Sequence, residues 1–156
     1  MTIKVGDSAI EFNLPDENGD YHRLKDYAGK KVILYFYPKD DTPGCTAQAC
    51  SFRDNIGQFN TKNSVVLGVS PDSIASHKKF KEKYGLPYTL LADENHAISE
   101  AYGVWQLKKN YGKEYMGIVR TTFVIDEEGK ILKVYEKVKP EENAREILEL
   151  LEAKAE

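Results

Sequence analysis

The feature that most constrains this chain is a buried-strand signal running directly into a turn and then a helix. Val32-Ile33-Leu34-Tyr35-Phe36-Tyr37 is apolar and aromatic throughout and rich in strand formers. Pro38-Lys39-Asp40-Asp41-Thr42-Pro43-Gly44 follows, a stretch of turn formers. From there Cys45, Ala49, Phe52, Ile56 and Phe59 recur at steps of four, three, four and three, which predicts one face of a helix over about 44–60. The helix therefore begins at a cysteine. A thiol in the first turn lies near unpaired N–H groups and the positive end of the helix dipole, both of which favour thiolate over thiol.

Composition narrows what that thiol can do. The chain has 156 residues, enough for one domain spanning 1–156. Its 22 basic and 25 acidic residues are scattered, so no basic block points to nucleic acid. The N-terminus lacks the apolar core of a signal peptide, and no apolar run reaches membrane-spanning length. The expectation is a cytoplasmic protein with no membrane and no nucleic-acid partner. In that compartment a constitutive structural disulfide is disfavoured. His22, His77 and His96 are dispersed and show no metal-ligand spacing to Cys45 or Cys50, so no metal site is expected. Inert core cysteines and redox chemistry remain as the two options.

Around the central motif the chain reads as alternating elements. Phe12–Leu14 and Tyr21–Leu24 predict a hairpin about Asn18-Gly19. Val65–Ser70 is unpatterned and predicts a central parallel strand. Ser70-Pro71-Asp72-Ser73 opens a helix with Ile74, His77, Phe80 and Tyr84 on one face and Gly85 at its end. Tyr88–Leu91 predicts a short strand, and Asp93 caps a short helix running to Tyr102. Residues 104–117 read as a loop or irregular hairpin. Ile118–Asp126 and Ile131–Val138 predict paired strands, and a last amphipathic helix starts at Pro140. This order describes an α/β thioredoxin-like sandwich, with a central mixed sheet flanked by helices and an N-terminal β-hairpin. In open α/β sheets, sites form at the carboxyl ends of strands, where Cys45 falls.

Both cysteines lie on the predicted helix, with four residues between them. On ideal geometry their Cα atoms are roughly 8–9 Å apart and about 140° apart in azimuth, whereas a disulfide needs Cα atoms within about 7 Å. If the two react with each other, the first turns must unwind. Cys45 lies on the apolar stripe and Cys50 off it, an asymmetry that suits an attacking and a resolving thiol.

Pro38-x-x-x-Thr42-x-x-Cys45 resembles the active-site signature of peroxiredoxins. The fuller run, with Thr42-Pro43-Gly44-Cys45-Thr46, Cys50 and Phe52-Arg53-Asp54, is similar to the bacterioferritin-comigratory-protein, or peroxiredoxin Q, branch. Tyr102-Gly103-Val104-Trp105, Gly112-Lys113 and Gly117-x-x-Arg120-x-Thr122-Phe123 extend the likeness over nearly the whole chain. The resemblance implies a thiol peroxidase in which Cys45 is the peroxidatic cysteine and Cys50 the resolving one, joined in an intramolecular disulfide that thioredoxin or a similar dithiol reduces. It further implies that Arg120, reaching in from an adjacent strand, stabilises the thiolate and orients peroxide. Thr42 bridges thiolate and peroxide; Pro38, Pro43 and Gly44 support the pocket. No cofactor is implied, the substrate is a hydroperoxide, and a resolving cysteine in the same chain makes a monomer the expectation. A thiol–disulfide oxidoreductase, and a redox switch or holdase without turnover, are the competing readings; the absence of Cys-x-x-Cys argues against the first. Gln48 is not counted among the reacting groups, Arg53 is read as supporting structure, and Tyr102 and Trp105 as packing. Lys108 and Lys109 are read as a solvated face, and the histidines as unconnected with catalysis.

Overall fold

A computed structural model describes residues 3–155. In chain order the first half comprises β1 (Asn13–Pro15), β2 (Tyr21–Arg23), β3 (Lys31–Phe36), α1 (Pro43–Asp54), α2 (Ile56–Thr61) and β4 (Ser64–Ser70). The second half comprises α3 (Ile74–Tyr84), β5 (Thr89–Ala92), α4 (Ala97–Ala101), β6 (Trp105–Asn110), β7 (Lys113–Ile118), β8 (Thr121–Ile125), β9 (Ile131–Glu136) and α5 (Asn143–Ala155). The central sheet has the order β5-β4-β3-β8-β9, with β3, β4 and β5 parallel and β8 and β9 antiparallel to their neighbours. It is the thioredoxin-like mixed sheet expected from the element order, and β1–β2 forms the expected N-terminal hairpin.

β3 sits in the middle of the sheet, which is why its sequence shows no polar alternation. Ile33, Tyr35 and Tyr37 face a layer containing Cys45, Ala49 and Phe52 of α1, Phe80 of α3 and Ile147 of α5. Val32, Leu34 and Phe36 face the opposite layer, with Phe12, Tyr102 and Ile118. Each large side chain buried this way contributes about 1.5–3 kcal/mol. Gly68, paired with Tyr35 across β3–β4, leaves room for that ring: a Cβ there would lie 2.9 Å from both Tyr35 and Leu90.

Several boundaries differ from the sequence reading, each for a local reason. The helix expected over 44–60 is two helices. Asn55 breaks it, leaving helical geometry at φ −112°, ψ 8° and donating its side-chain amide to the Ser51 carbonyl at 2.7 Å. The apolar stripe survives the break, because Phe59 is still buried and Ile56 still packs on the core. The strand expected over Ile118–Asp126 is interrupted at Val119–Arg120, where the chain passes from the β6–β7 hairpin into the sheet. Residues 105–118, read as a loop or irregular hairpin, form a regular two-stranded hairpin. Pro140 precedes α5, which begins at Asn143. α3 starts and stops as expected, with the Ser73 side chain accepting from Ser76 N–H at 3.1 Å and Gly85 left-handed at φ 59°.

Candidate active site

β3 delivers the chain into the turn at its carboxyl end, and α1 carries it away. Thr42 occupies the N-cap position, and its carbonyl accepts from Thr46 N–H at 2.8 Å. Its hydroxyl does not cap the helix; it donates to the Lys39 carbonyl at 2.9 Å, leaving its lone pairs free to accept. Pro43 follows, exposed, at the first helical position, where a missing N–H costs nothing. Cys45 stands two residues on, 1% exposed, its thiol free. Pro38 is half-buried at the start of the turn.

Arg120 reaches this thiol from the junction between β7 and β8, not from within a strand. Its Nη2 donates to Cys45 Sγ at 3.3 Å, and its Nη1 donates to Gln48 Oε1 at 2.7 Å. The approach depends on Gly44, since a Cβ there would lie 3.0 Å from Arg120 Nη2. Gln48, fully buried one turn below Cys45, turns its amide to Asn143 Oδ1 at 3.4 Å, and Thr122 Oγ1 donates to the same oxygen at 2.7 Å. The guanidinium is thereby fixed through Gln48 to α5 and β8. Neither Asn143 nor Thr122 carried any local signal in this role. Their convergence depends on sheet order, and Thr122 stood out only within the motif around Arg120.

Lys108, read as part of a solvated face, is half-buried instead. Its Nζ donates to the Ile118 carbonyl at 2.8 Å, two residues before Arg120. Burial pushes its ammonium below the usual lysine range, Arg120 adds repulsion, and Cys45 partly opposes the shift. Lys109 is exposed, as expected.

Cys50 lies on the same helix, half-buried and free. Arg53 donates to Asp54 at 2.9 Å and to the Tyr84 carbonyl at 2.7 Å, the supporting role anticipated for it. Tyr88 donates to the Ala49 carbonyl at 3.0 Å and so receives the Tyr35 hydroxyl hydrogen at 2.8 Å. This pair braces the middle of α1, and burial drives both hydroxyls far above the ordinary tyrosine range. Tyr102 is buried packing, and Trp105 stacks on His96 at 4.0 Å between ring centres.

A family model described as AhpC/TSA family matches residues 5–134. Peroxiredoxin Bcp of Bacillus subtilis is 52% identical over 151 residues, covering 97% of this chain and 96% of its own. The chain belongs to the AhpC/TSA family. Within it, it is a peroxiredoxin of the Bcp/peroxiredoxin Q branch, and its activity is that of a thiol peroxidase. Peroxiredoxin Bcp of Escherichia coli K12 is 46% identical over 137 residues, 88% of each chain. Among solved structures, a cysteine-to-serine mutant of Xylella fastidiosa PrxQ superposes with a TM-score of 0.95 at 34% identity, covering 100% of this chain and 99% of its own. The Xanthomonas campestris bacterioferritin comigratory protein, studied for its alkyl peroxide reduction, matches with a TM-score of 0.88 at 34% identity over 96% of this chain and 100% of its own. Among the described residues no helix is long and apolar enough to cross a membrane.

Proposed function

We propose that Cys45 is the peroxidatic thiolate and Cys50 the resolving thiol of this peroxidase. The observation that carries the reading is Arg120 Nη2 held 3.3 Å from a buried Cys45 Sγ at the start of a helix. Arg120 cannot accept a proton, so it acts as a fixed cation and donor beside the sulfur. The thiolate attacks the terminal oxygen of a hydroperoxide; the O–O bond breaks, and the departing alkoxide or hydroxide takes a proton and leaves as alcohol or water. Cys45 is left as a sulfenic acid. In this reading Arg120, the lone pairs of the Thr42 hydroxyl and the N–H groups of Gly44 and Cys45 stabilise charge on the oxygens during attack. Pro38 and Pro43 stiffen the turn.

Resolution follows when the Cys50 thiol displaces the sulfenic hydroxyl as water, forming the Cys45–Cys50 disulfide. Because both lie on α1, its first turns unwind for this step. Thioredoxin or a similar dithiol then exchanges with the disulfide and restores both thiols. The enzyme works in the cytoplasm as a monomer, since no second chain is needed to resolve the sulfenic acid. The test is peroxide-dependent NADPH oxidation with thioredoxin and its reductase, paired with mass spectrometry after one equivalent of peroxide. A Cys45–Cys50 disulfide and sustained turnover are expected. Turnover by Cys45→Ser would overturn the assignment.

A further inference from the structure

Beneath the catalytic turn lies a buried polar cluster that the reaction as described does not use. His77 of α3 is fully buried and Asp40 is 7% exposed. His77 Nε2 faces the Leu91 carbonyl at 2.9 Å, and Nδ1 faces Asp40 Oδ2 at 2.7 Å. The Leu91 carbonyl can only accept, so Nε2 carries a hydrogen and donates to it, and Nδ1 and Asp40 Oδ2 share one hydrogen between them. Asp40 also accepts from the Tyr37 hydroxyl at 2.6 Å and the Ser76 hydroxyl at 2.8 Å. Three hydrogen bonds thus fix its side chain to α3 and to Tyr37 just past β3, and Leu91 ties the ring to β5.

The connection to the chemistry runs through one peptide unit. The backbone N–H of Asp40 donates to Asp72 Oδ2 at 2.7 Å, and Asp72 is itself held by the Ser70 hydroxyl at 2.6 Å. The carbonyl of that same planar unit is Lys39 C=O, the group that accepts the Thr42 hydroxyl. A rotation of this plane would carry the Lys39 oxygen away from Thr42, and the hydroxyl would lose its orientation. The following residue, Asp41, is left-handed at φ 57°, so the turn is held in a conformation that an unanchored chain would leave.

We propose that Asp40, His77 and Asp72 are positioning residues for the peroxidase reaction, locking the Lys39–Asp40 peptide plane so that it aims the Thr42 hydroxyl at the peroxide site. The proposal rests on the role given to Thr42 and Cys45 above. It separates two functions of the turn: the thiolate is set by Arg120 and the helix start, and the peroxide-orienting hydroxyl by this cluster.

The test uses His77→Leu and, because a buried carboxylate without its histidine can compromise folding, Asp72→Ala at a half-buried position. Two rates are measured on the reduced full chain: oxidation of Cys45 by hydrogen peroxide, and alkylation of Cys45 by iodoacetamide, which needs a thiolate but no oriented hydroxyl. Each variant that folds is expected to slow peroxide oxidation about tenfold while alkylation stays within about twofold. In a Thr42→Val background neither substitution should slow oxidation further, since residues acting through one group are not additive. A wild-type peroxide rate in Asp72→Ala, a parallel fall in alkylation, or a full further loss on top of Thr42→Val would overturn the proposal. Failure of the unsubstituted protein to oxidise Cys45 with peroxide would instead overturn the underlying assignment of the site, and the positioning role would fall with it.

Discussion

Gly44→Ala separates reactivity from stability more cleanly than any substitution of a reacting group. The new Cβ would sit 3.0 Å from Arg120 Nη2, against about 3.5–4.0 Å for ordinary contact between heavy atoms. Pro140 Cγ, at 3.6 Å, is already acceptable, so the guanidinium is the group that moves. A retreat of roughly half an ångström or more stretches its bond to Cys45 Sγ, now 3.3 Å. A hydrogen bond to a charged group is worth about 1.5–3 kcal/mol, and losing between half and all of it removes about 1–3 kcal/mol. At about 1.36 kcal/mol per tenfold, the reaction with peroxide should slow about 5- to 160-fold. Folding should not suffer. Gly44 lies in the first turn of α1 with no positive φ, so alanine lowers the entropy of the unfolded chain and stabilises by about 0.4–1 kcal/mol. Stopped-flow oxidation of Cys45 alongside a thermal melt reads both effects. A wild-type rate would refute the claim that the Arg120–Cys45 contact controls reactivity. A lowered Tm would refute the claim that only the guanidinium yields.

Three further outcomes are expected. Cys50→Ser should react once with peroxide and then stall as a sulfenic acid that overoxidises, visible as added oxygens by mass spectrometry; normal thioredoxin-linked turnover would remove Cys50 from the resolving role. Gly68→Ala should cost about 1–3 kcal/mol in urea unfolding, because its Cβ would overlap the buried Tyr35 and Leu90, both set in the core with no space to retreat. Asp16 is held below the usual carboxylate range: burial works against this, but the bond to His22 and the N–H groups of Asn18 and Asp20 outweigh it. A lowered folded-state value stabilises above the unfolded carboxylate range and is lost as pH falls through the folded value. Asp16→Asn should therefore flatten the fall of Tm between about pH 5 and pH 2, and an unchanged acid slope would count against that linkage.

The axis of the molecule, from β3 through the turn to the start of α1, is written in local sequence patterns. Short-range patterns carry it: an uninterrupted apolar run, Pro and Gly at the bend, and a 3.6-residue stripe that begins at Cys45. The same stripe placed both cysteines on one helix, so the need to unwind α1 before they can bond was legible without coordinates. Where local chemistry competes with a period, the reading faltered. Asn55 ends α1 by bonding back to Ser51 although the apolar stripe continues past it, and the chain leaves strand geometry at Val119–Arg120 within a run of strand formers. The tertiary structure alone decided which side chains meet at the thiol. Arg120 is 75 residues from Cys45, and Asn143 is 95 from Gln48. Their convergence follows from β8 pairing beside β3 and α5 packing on α1, facts of sheet order that no local period encodes. His77 shows the limit most plainly: its spacing put it on the buried face of α3, but only the packed fold set its ring against Asp40, beneath the turn that leads to Cys45.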